Sequence, residues 1–489
     1  MTLWPKKPVI YEINTWVWLH DLSERYGCSI TLSTVPLNEW NDLASLGVDA
    51  VWLMGVWERS PAGIRISLGR PDLQAEYRRA LPDLSEKDVV GSPYSVHRYV
   101  VDHRLGGPEG LADARDKLQK HGIRLILDFV PNHVASDHPW VYEHPEYFIQ
   151  GGVDDLKKAP GEFFETPGKL VACGRDPYFP PWTDTAQLNA FHPGLRRSVI
   201  EAVSGIADQC DGLRCDMAML VMNPVFEKTW GKRAGIRPAS EYWSEVISGV
   251  RKKCPDILFV AEAYWDLEWE LQQHGFNYCY DKRLYDRLAH GKAEAVRLHL
   301  LADLSYQNKL VRFIENHDEA RAAATFSPKR SRAAAIAIAT LPGAKLFHEG
   351  QFEGRRVKLP LQLGRRPVEP IDRDLVAFYH KLFKEINTAR IKEGEWHLCK
   401  QIGWPDNTSY LNLVGWCLRG GEEKYLVVVN LSDQRSQGRI QLPWSDLAHR
   451  SWRLTDLVCG EVYERKGDEM MDPGLFVELE GWGFHFLKF

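Results

Sequence analysis

A chain of 489 residues is too long for one core of ordinary size, so a single large barrel with additions, or two to three domains, is expected. Hydrophobic content of 44% and charged content of 26% are those of a soluble globular protein, and a net charge of -5 lacks the basic footprint of a nucleic-acid binder. No stretch approaches the roughly 18 apolar residues of a membrane span, so no membrane partner is expected either.

The opening MTLWPKKPVIYEI runs straight into a strand-like segment at 9–13. It has neither the apolar stretch nor the small-residue cleavage site of a signal peptide, which predicts a cytoplasmic, reduced protein. The 9 cysteines are odd in number and irregularly spaced, with no C-x-x-C pair, so neither zinc nor a redox motif is indicated. Further short apolar runs follow at 50–54, 124–129, 212–216, 258–262, 276–280, 310–315 and 344–348. Most are apolar on both faces, as parallel strands wrapped by helices must be. Helical patterns lie between them, for example at 111–121, 195–209 and 242–253, and Gly47 and Gly122 sit where C-caps would precede the next strand. Eight such repeats predict an α/β fold, a (β/α)8 TIM barrel.

Three stretches exceed a bare barrel. The connection 55–107 carries a helix-like segment at 72–81 and the arginines Arg59, Arg65, Arg70, Arg78 and Arg79, expected on a solvated face. Residues 134–188, rich in Pro, Gly and aromatics, read as a small domain inserted after strand 3. Beyond a last barrel helix at 372–390, β-like runs at 425–431, 438–442, 451–457 and 482–489 predict a C-terminal antiparallel β-sandwich. The expected division is a catalytic barrel of 1–133 and 189–390, an inserted domain of 134–188 and a sandwich of 391–489. Aromatic rings are plentiful, with 18 Trp, and a share of them on loops would suit a sugar site.

Barrels of this kind present their reactive groups at the C-terminal ends of the strands. Those ends read Asp128 to His133 after strand 3, Arg214 and Asp216 on strand 4, Glu262 on strand 5, and Glu315 to Glu319 on strand 7. Cleaving a glycosidic bond needs a proton for the leaving oxygen and a partner for an oxocarbenium-like carbon, and two carboxyl groups can supply both. Arg214, two residues from Asp216 on the same strand face, is expected to hold Asp216 ionised. Glu262, among Val260, Tyr264 and Trp265, is the better candidate for a carboxyl kept protonated by desolvation.

Six segments in order, SPYSVHRY (92–99), DFVPNH (128–133), TAQLN (185–189), GLRCD (212–216), AEAYW (261–265) and ENHDE (315–319), make the chain resemble the α-amylase family of glycoside hydrolases. The resemblance implies a retaining enzyme cleaving α-1,4-glucosidic bonds of malto-oligosaccharides or glycogen-like α-glucans. It implies Asp216 as nucleophile, Glu262 as acid/base and Asp318 as the carboxylate that binds sugar hydroxyls and distorts the ring. Tyr94, His133 and His317 would hold the glucose on the donor side, Arg214 would orient Asp216, and Asp128 would support Arg214. No cofactor is required. Calcium is a family habit near the position of Asn132, but the nearby Asp137, Asp154, Asp155, Asp176 and Asp184 lack dense ligand spacing, so no metal is assigned. One departure stands out: Ala218-Met219-Leu220 occupies the place where many relatives carry a Lys-His pair on the leaving-chain side, which predicts an apolar surface there. Two alternatives stay open, a glucan transglycosylase on the same machinery and an inactive carbohydrate-binding barrel.

Overall fold

The computed structural model describes residues 4–159, 161–387 and 389–489. Eight strands close a barrel in chain order: β1 (Val9–Asn14), β2 (Ala50–Met54), β3 (Arg124–Phe129), β4 (Gly212–Cys215), β5 (Leu258–Ala261), β6 (Tyr278–Tyr280), β7 (Leu310–Arg312) and β8 (Ala344–His348). Every neighbouring pair is parallel, and β8 closes on β1 with Val9 opposite Lys345. The strands are short and buried except at Asn14 and Arg124, because helices cover the outer face and side chains fill the inner one. Asp216, Glu262 and Glu315, read in sequence as the last residues of strands, lie just past the strand ends at Cys215, Ala261 and Arg312. The chain leaves the ladder there, which frees these carboxylates to face the barrel mouth. Gly47 and Gly122 do adopt left-handed φ values of 70° and 73°, as helix-terminating positions require.

The connection after β2 forms a short antiparallel pair, Trp57–Arg59 with Val96–Val101, and two helices, Pro61–Gly69 and Pro71–Ala80. It is zipped to the segment after β8. Val90 N donates to Gln362 O and Gly364 N to Asp88 O, both at 2.8 Å, and Arg365 pairs with Asp88 at 2.7 Å. Arg59 departs from the solvated face expected of it. It is buried, its guanidinium donates to Gly91 O at 3.2 Å and Gly55 O at 3.1 Å, and burial pulls its pKa down to about 9. Carbonyls of the connection's own turns take its two terminal nitrogens in place of water, while Nε has no partner among the described residues.

After β3 the chain makes His133–Ala135, paired antiparallel with Thr185–Gln187, and a hairpin of Phe163–Thr166 with Lys169–Ala172. The C-terminal region packs a six-stranded antiparallel sheet on a three-stranded one. Strands Glu395–Leu398, Lys400–Ile402, Leu413–Gly420, Val462–Lys466 and Leu475–Leu479 escape the sequence reading. The central strand Glu423–Asn430 is an unbroken apolar run because both its faces are covered. Val427 and Val429 join Trp416 in the barrel-side core, and Leu426 and Val428 face Ile440 and Val477 of the smaller sheet. Trp416 Nε1 donates to Thr340 Oγ1 at 3.1 Å across that junction. All nine cysteines are free. No helix among the described residues is long and apolar enough to cross a membrane.

Candidate active site

Parallel pairing puts Arg214 on β4 opposite Asp128 on β3 and Val260 on β5, with its side chain inside the barrel and 1% exposed. Its two terminal nitrogens meet two different carboxylates. Nη1 donates to Asp216 Oδ1 at 2.7 Å and Nη2 to Glu262 Oε2 at 2.7 Å. Asp128 Oδ1 lies 3.5 Å from Nη1 and Asp318 Oδ2 3.8 Å from Nη2. The guanidinium is packed among rings, 5.0 Å from the centroid of Tyr94 and 5.2 Å from that of Trp52. One buried cation therefore serves four carboxylates; burial would lower its pKa, but Glu262, the Tyr94 and Tyr280 hydroxyls and Asp216 hold it well above the usual arginine range.

The four acids differ in what else they touch. Glu262 accepts from Met217 N at 2.7 Å on Oε2 and from the Tyr264 hydroxyl at 2.8 Å on Oε1. Met217 reaches it from a left-handed backbone, φ 40°. Burial raises the Glu262 pKa, Arg214 opposes, and Asp216 and Asp318 add to the rise, to about 7. Asp216 is also raised, by burial, with Arg214 offsetting only part of that rise. Its side chain is only 7% exposed, and it shares its guanidinium partner with Glu262. The most firmly ionised of the group is Asp318. Burial would raise it, but the His317 ring and Arg214 hold it far below the carboxylate range. Asp128 is raised by burial, and its second oxygen is held by Trp52 Nε1 at 3.1 Å and Gly55 N at 3.2 Å. Its link to Arg214 is the longest of its contacts.

His317 and Tyr94 close one wall. His317 Nε2 lies 2.7 Å from the Tyr94 hydroxyl and 2.9 Å from Asp318 Oδ2. Burial would lower its pKa, but Asp318 and Glu12 outweigh burial and raise it to about 10. His133, at the start of the inserted segment, is buried, and burial lowers it to about 4, so its ring is neutral at neutral pH. It packs against Trp182 with centroids 5.0 Å apart. The structure thus gathers all eight candidate residues at one end of the barrel. Among the described residues no cluster of three or more His, Cys, Asp or Glu offers a metal site. The amide of Asn132 is engaged by Gln187, Asp155 by Arg233 and Asp137 by Ser60.

Met219 and Leu220 correct the sequence reading of the leaving-chain side. They lie in the turn Ala218–Val221, 0% and 2% exposed, and pack into the core, so they offer a sugar no surface. Rings stand nearby instead. Tyr178 and Phe179 of the inserted segment are 60% and 70% exposed, and Tyr178 meets Trp265 edge-on at 5.0 Å. Trp265 follows Glu262 by three residues and, with Asp266, holds left-handed φ values of 64° and 62°, a strained presentation pinned by the Asp266–Arg283 ion pair. Asp176 Oδ1 accepts from Tyr178 N at 2.6 Å and Phe179 N at 3.0 Å, which fixes the turn carrying the two exposed rings. The sequence reading also passed over Glu12 and Lys358, although a charged residue inside the apolar run VIYEIN was a visible signal. A cavity of about 1360 Å³ opens at the opposite, N-terminal end of the barrel among Trp4, Lys7, Arg251 and Trp396, away from these carboxylates.

A family model described as alpha amylase, catalytic domain, matches residues 39–358. Alpha-amylase MalA of Haloarcula japonica is 26% identical over 363 residues, covering 72% of this chain and 45% of that protein. Alpha-amylase 3 of Dictyoglomus thermophilum is 24% identical over 392 residues, covering 76% of this chain and 68% of that one. The chain thus spans less than half of the first relative and about two thirds of the second. In fold it matches the crystal structure of the maltogenic alpha-amylase AmyB from Thermotoga neapolitana, with a TM-score of 0.69 over 99% of both chains at 16% identity.

Proposed function

Since this chain belongs to the α-amylase family, we propose that it is a retaining α-glycosidase acting on α-1,4-glucosidic bonds of malto-oligosaccharides or glycogen-like α-glucans by double displacement. The observation that carries this reading is the pair of carboxylates on one guanidinium, Asp216 and Glu262, with Glu262 raised to about 7. Glu262 enters as the acid and protonates the leaving oxygen, while Asp216 attacks the anomeric carbon. Glu262 then takes a proton from water, whose oxygen displaces Asp216 and restores the starting configuration. Asp318, His317, Tyr94 and His133 hold the glucose at the reacting carbon, and Arg214 orients Asp216. Asp128 acts by packing Arg214 in place. No cofactor enters, because nucleophile and proton both come from side chains. Free cysteines support a reducing, cytoplasmic site of action.

The second reading, transfer to another sugar, draws support from the rim of rings Tyr178, Phe179 and Trp265, which gives an incoming sugar a face to stack on beside Glu262. A product time course on maltotriose, followed by proton NMR, tests both readings. An α-configured first product supports retention. Products longer than maltotriose point to transfer, and shorter products alone to hydrolysis. A β-configured first product overturns the mechanism.

A further inference from the structure

Glu12 sits in the middle of β1, wholly buried, on the inner face of the barrel. A carboxylate in such a place costs free energy unless it is paired, and only half of this one is. Oε1 lies 2.5 Å from His317 Nδ1, and Oε2 has no hydrogen-bond partner among the described residues. On the other side of the same ring, Nε2 faces Asp318 Oδ2 at 2.9 Å and the Tyr94 hydroxyl at 2.7 Å. The edge of Trp52 closes the remaining side with centroids 5.4 Å apart.

We propose that Glu12 is a positioning residue that acts through His317, fixing the ring as a doubly protonated donor whose Nε2–H is offered to a hydroxyl of the bound glucose. The argument is one of proton count. An ionised carboxylate only accepts, so Glu12 requires a hydrogen on Nδ1 and Asp318 requires one on Nε2. Either carboxylate alone would leave a neutral ring with one bare nitrogen. Glu12 alone would make Nε2 an acceptor, the wrong sense for a ring that must donate to the sugar and keep Asp318 ionised. The two together demand the imidazolium. The groups around the ring agree with this assignment. Glu12 is held below the usual range despite burial by His348 and His317, and Asp318 by His317, Arg214 and Lys358. Asp128 lies farther off and feels the His317 charge, while Tyr94 stays protonated because burial raises its hydroxyl well above the ordinary value.

The inference rests on the glycosidase reading for the sugar hydroxyl but not for the charge on the ring, and the test separates the two. The imidazole nitrogens of His317 are followed by nitrogen-15 NMR from pH 5.5 to 8.5 without substrate, the signal being assigned by its loss in His317→Gln. The wild-type ring is expected to stay doubly protonated across that range, and the ring in Glu12→Gln to titrate within it. In Glu12→Gln kcat/KM on maltotriose should fall about 10- to 100-fold, in kcat rather than KM, the loss of one charge-assisted hydrogen bond. The pH profile should gain a new limb, and Glu12→Asp, which keeps the charge, should recover part of the rate. Should Glu12→Gln fail to fold, the wild-type titration and Glu12→Asp still decide. A wild-type ring that titrates near its ordinary value overturns the proposal. So does a Glu12→Gln variant whose ring protonation and pH profile match wild type, however slow it is. An enzyme inactive on every α-glucan would overturn the glycosidase reading and leave the titration standing.

Discussion

Replacing Asp216 by Asn should change two things, and the second is the sharper test. Turnover should fall by several orders of magnitude, because an amide cannot form the glycosyl ester. At the same time Glu262 should become a stronger acid. The two carboxylates bond to the two arms of Arg214 at 2.7 Å each, and Asp216 is among the groups that raise Glu262 to about 7. Unit charges about 6 Å apart interact by about 3 kcal/mol at an effective dielectric of about 20, or about two pKa units. Burial is the larger cause of the elevation and survives the substitution, and so does Asp318. Glu262 should therefore fall from about 7 by about one to two units, not to the ordinary glutamate value. Asn keeps an oxygen for Arg214, so the geometry should hold. The assay is a carbon-13 titration of the Glu262 carboxyl in Asp216→Asn, the signal being assigned by its loss in Glu262→Gln. If Glu262 stays near 7 in the variant, burial alone sets its pKa and the coupling argued here is wrong. A variant retaining more than about a tenth of wild-type turnover would count against Asp216 as nucleophile.

Glu262→Gln should cost several orders of magnitude on maltotriose but far less on α-glucosyl fluoride, whose leaving group needs no proton; equal losses on both would remove Glu262 from the acid role. In the wild type the acid form of Glu262 is present below about 7, so kcat/KM on maltotriose should decline as pH rises through that value, and a flat profile to pH 9 would contradict the assignment. Tyr178→Ala with Trp265→Ala should weaken acceptor and leaving-chain binding by about 2- to 10-fold per ring and cut longer products more than hydrolysis, which product ratios on maltopentaose measure. The folded pKa of His317, about 10, lies above the unfolded value near 6.5, so its stabilising contribution is full below about pH 6.5 and is lost as pH rises toward 10. Urea midpoints from pH 7 to 10 should fall more steeply for wild type than for His317→Gln.

The barrel was legible in the sequence because each strand is a short apolar run between helices, a pattern only a helix-covered parallel sheet explains. The C-terminal strands were less so. Val462–Lys466 is an edge strand with alternating exposure and several charges, and Lys400–Ile402 is only three residues long, so neither presents a run to notice. The catalytic candidates were legible as motifs, but their electrostatics were not. Arg214 sits two residues from Asp216 in the chain, yet equally close in space to Glu262 on the next strand. Met219 and Leu220 were misjudged because a turn after β4 tucks them into the core, which sequence spacing does not reveal. The rings that meet near Glu262 come from two loops 87 positions apart, at Tyr178 and Trp265, and only the fold brings them together.

The raised pKa of Glu262 follows from a count of charges rather than from any single contact. Four buried carboxyl groups, Glu12, Asp128, Asp216 and Glu262, together with the partly exposed Asp318, face two buried cations, Arg214 and His317. Water is largely absent, so the excess negative charge must be relieved by protons. Protons go where no cation has first claim. His317 secures Asp318 and Glu12, and Arg214 is divided among the others, which leaves Asp128, Asp216 and Glu262 all raised. Of these, Glu262 is the one whose second oxygen accepts from the Tyr264 hydroxyl, whereas the second oxygen of Asp128 is held inside the barrel by Trp52 and Gly55. A proton stored on Glu262 is therefore the one within reach of a leaving oxygen. Adding a cation beside it should discharge that store. Tyr264→Lys, which aims an ammonium at Glu262 Oε1, is expected to lower the pH at which activity is lost by about one unit or more, since a new opposite charge within ~4–6 Å shifts a carboxyl by about 1–3 units. A pH–rate profile on maltotriose measures it, and an unmoved upper limb would show that the charge count does not set the acid.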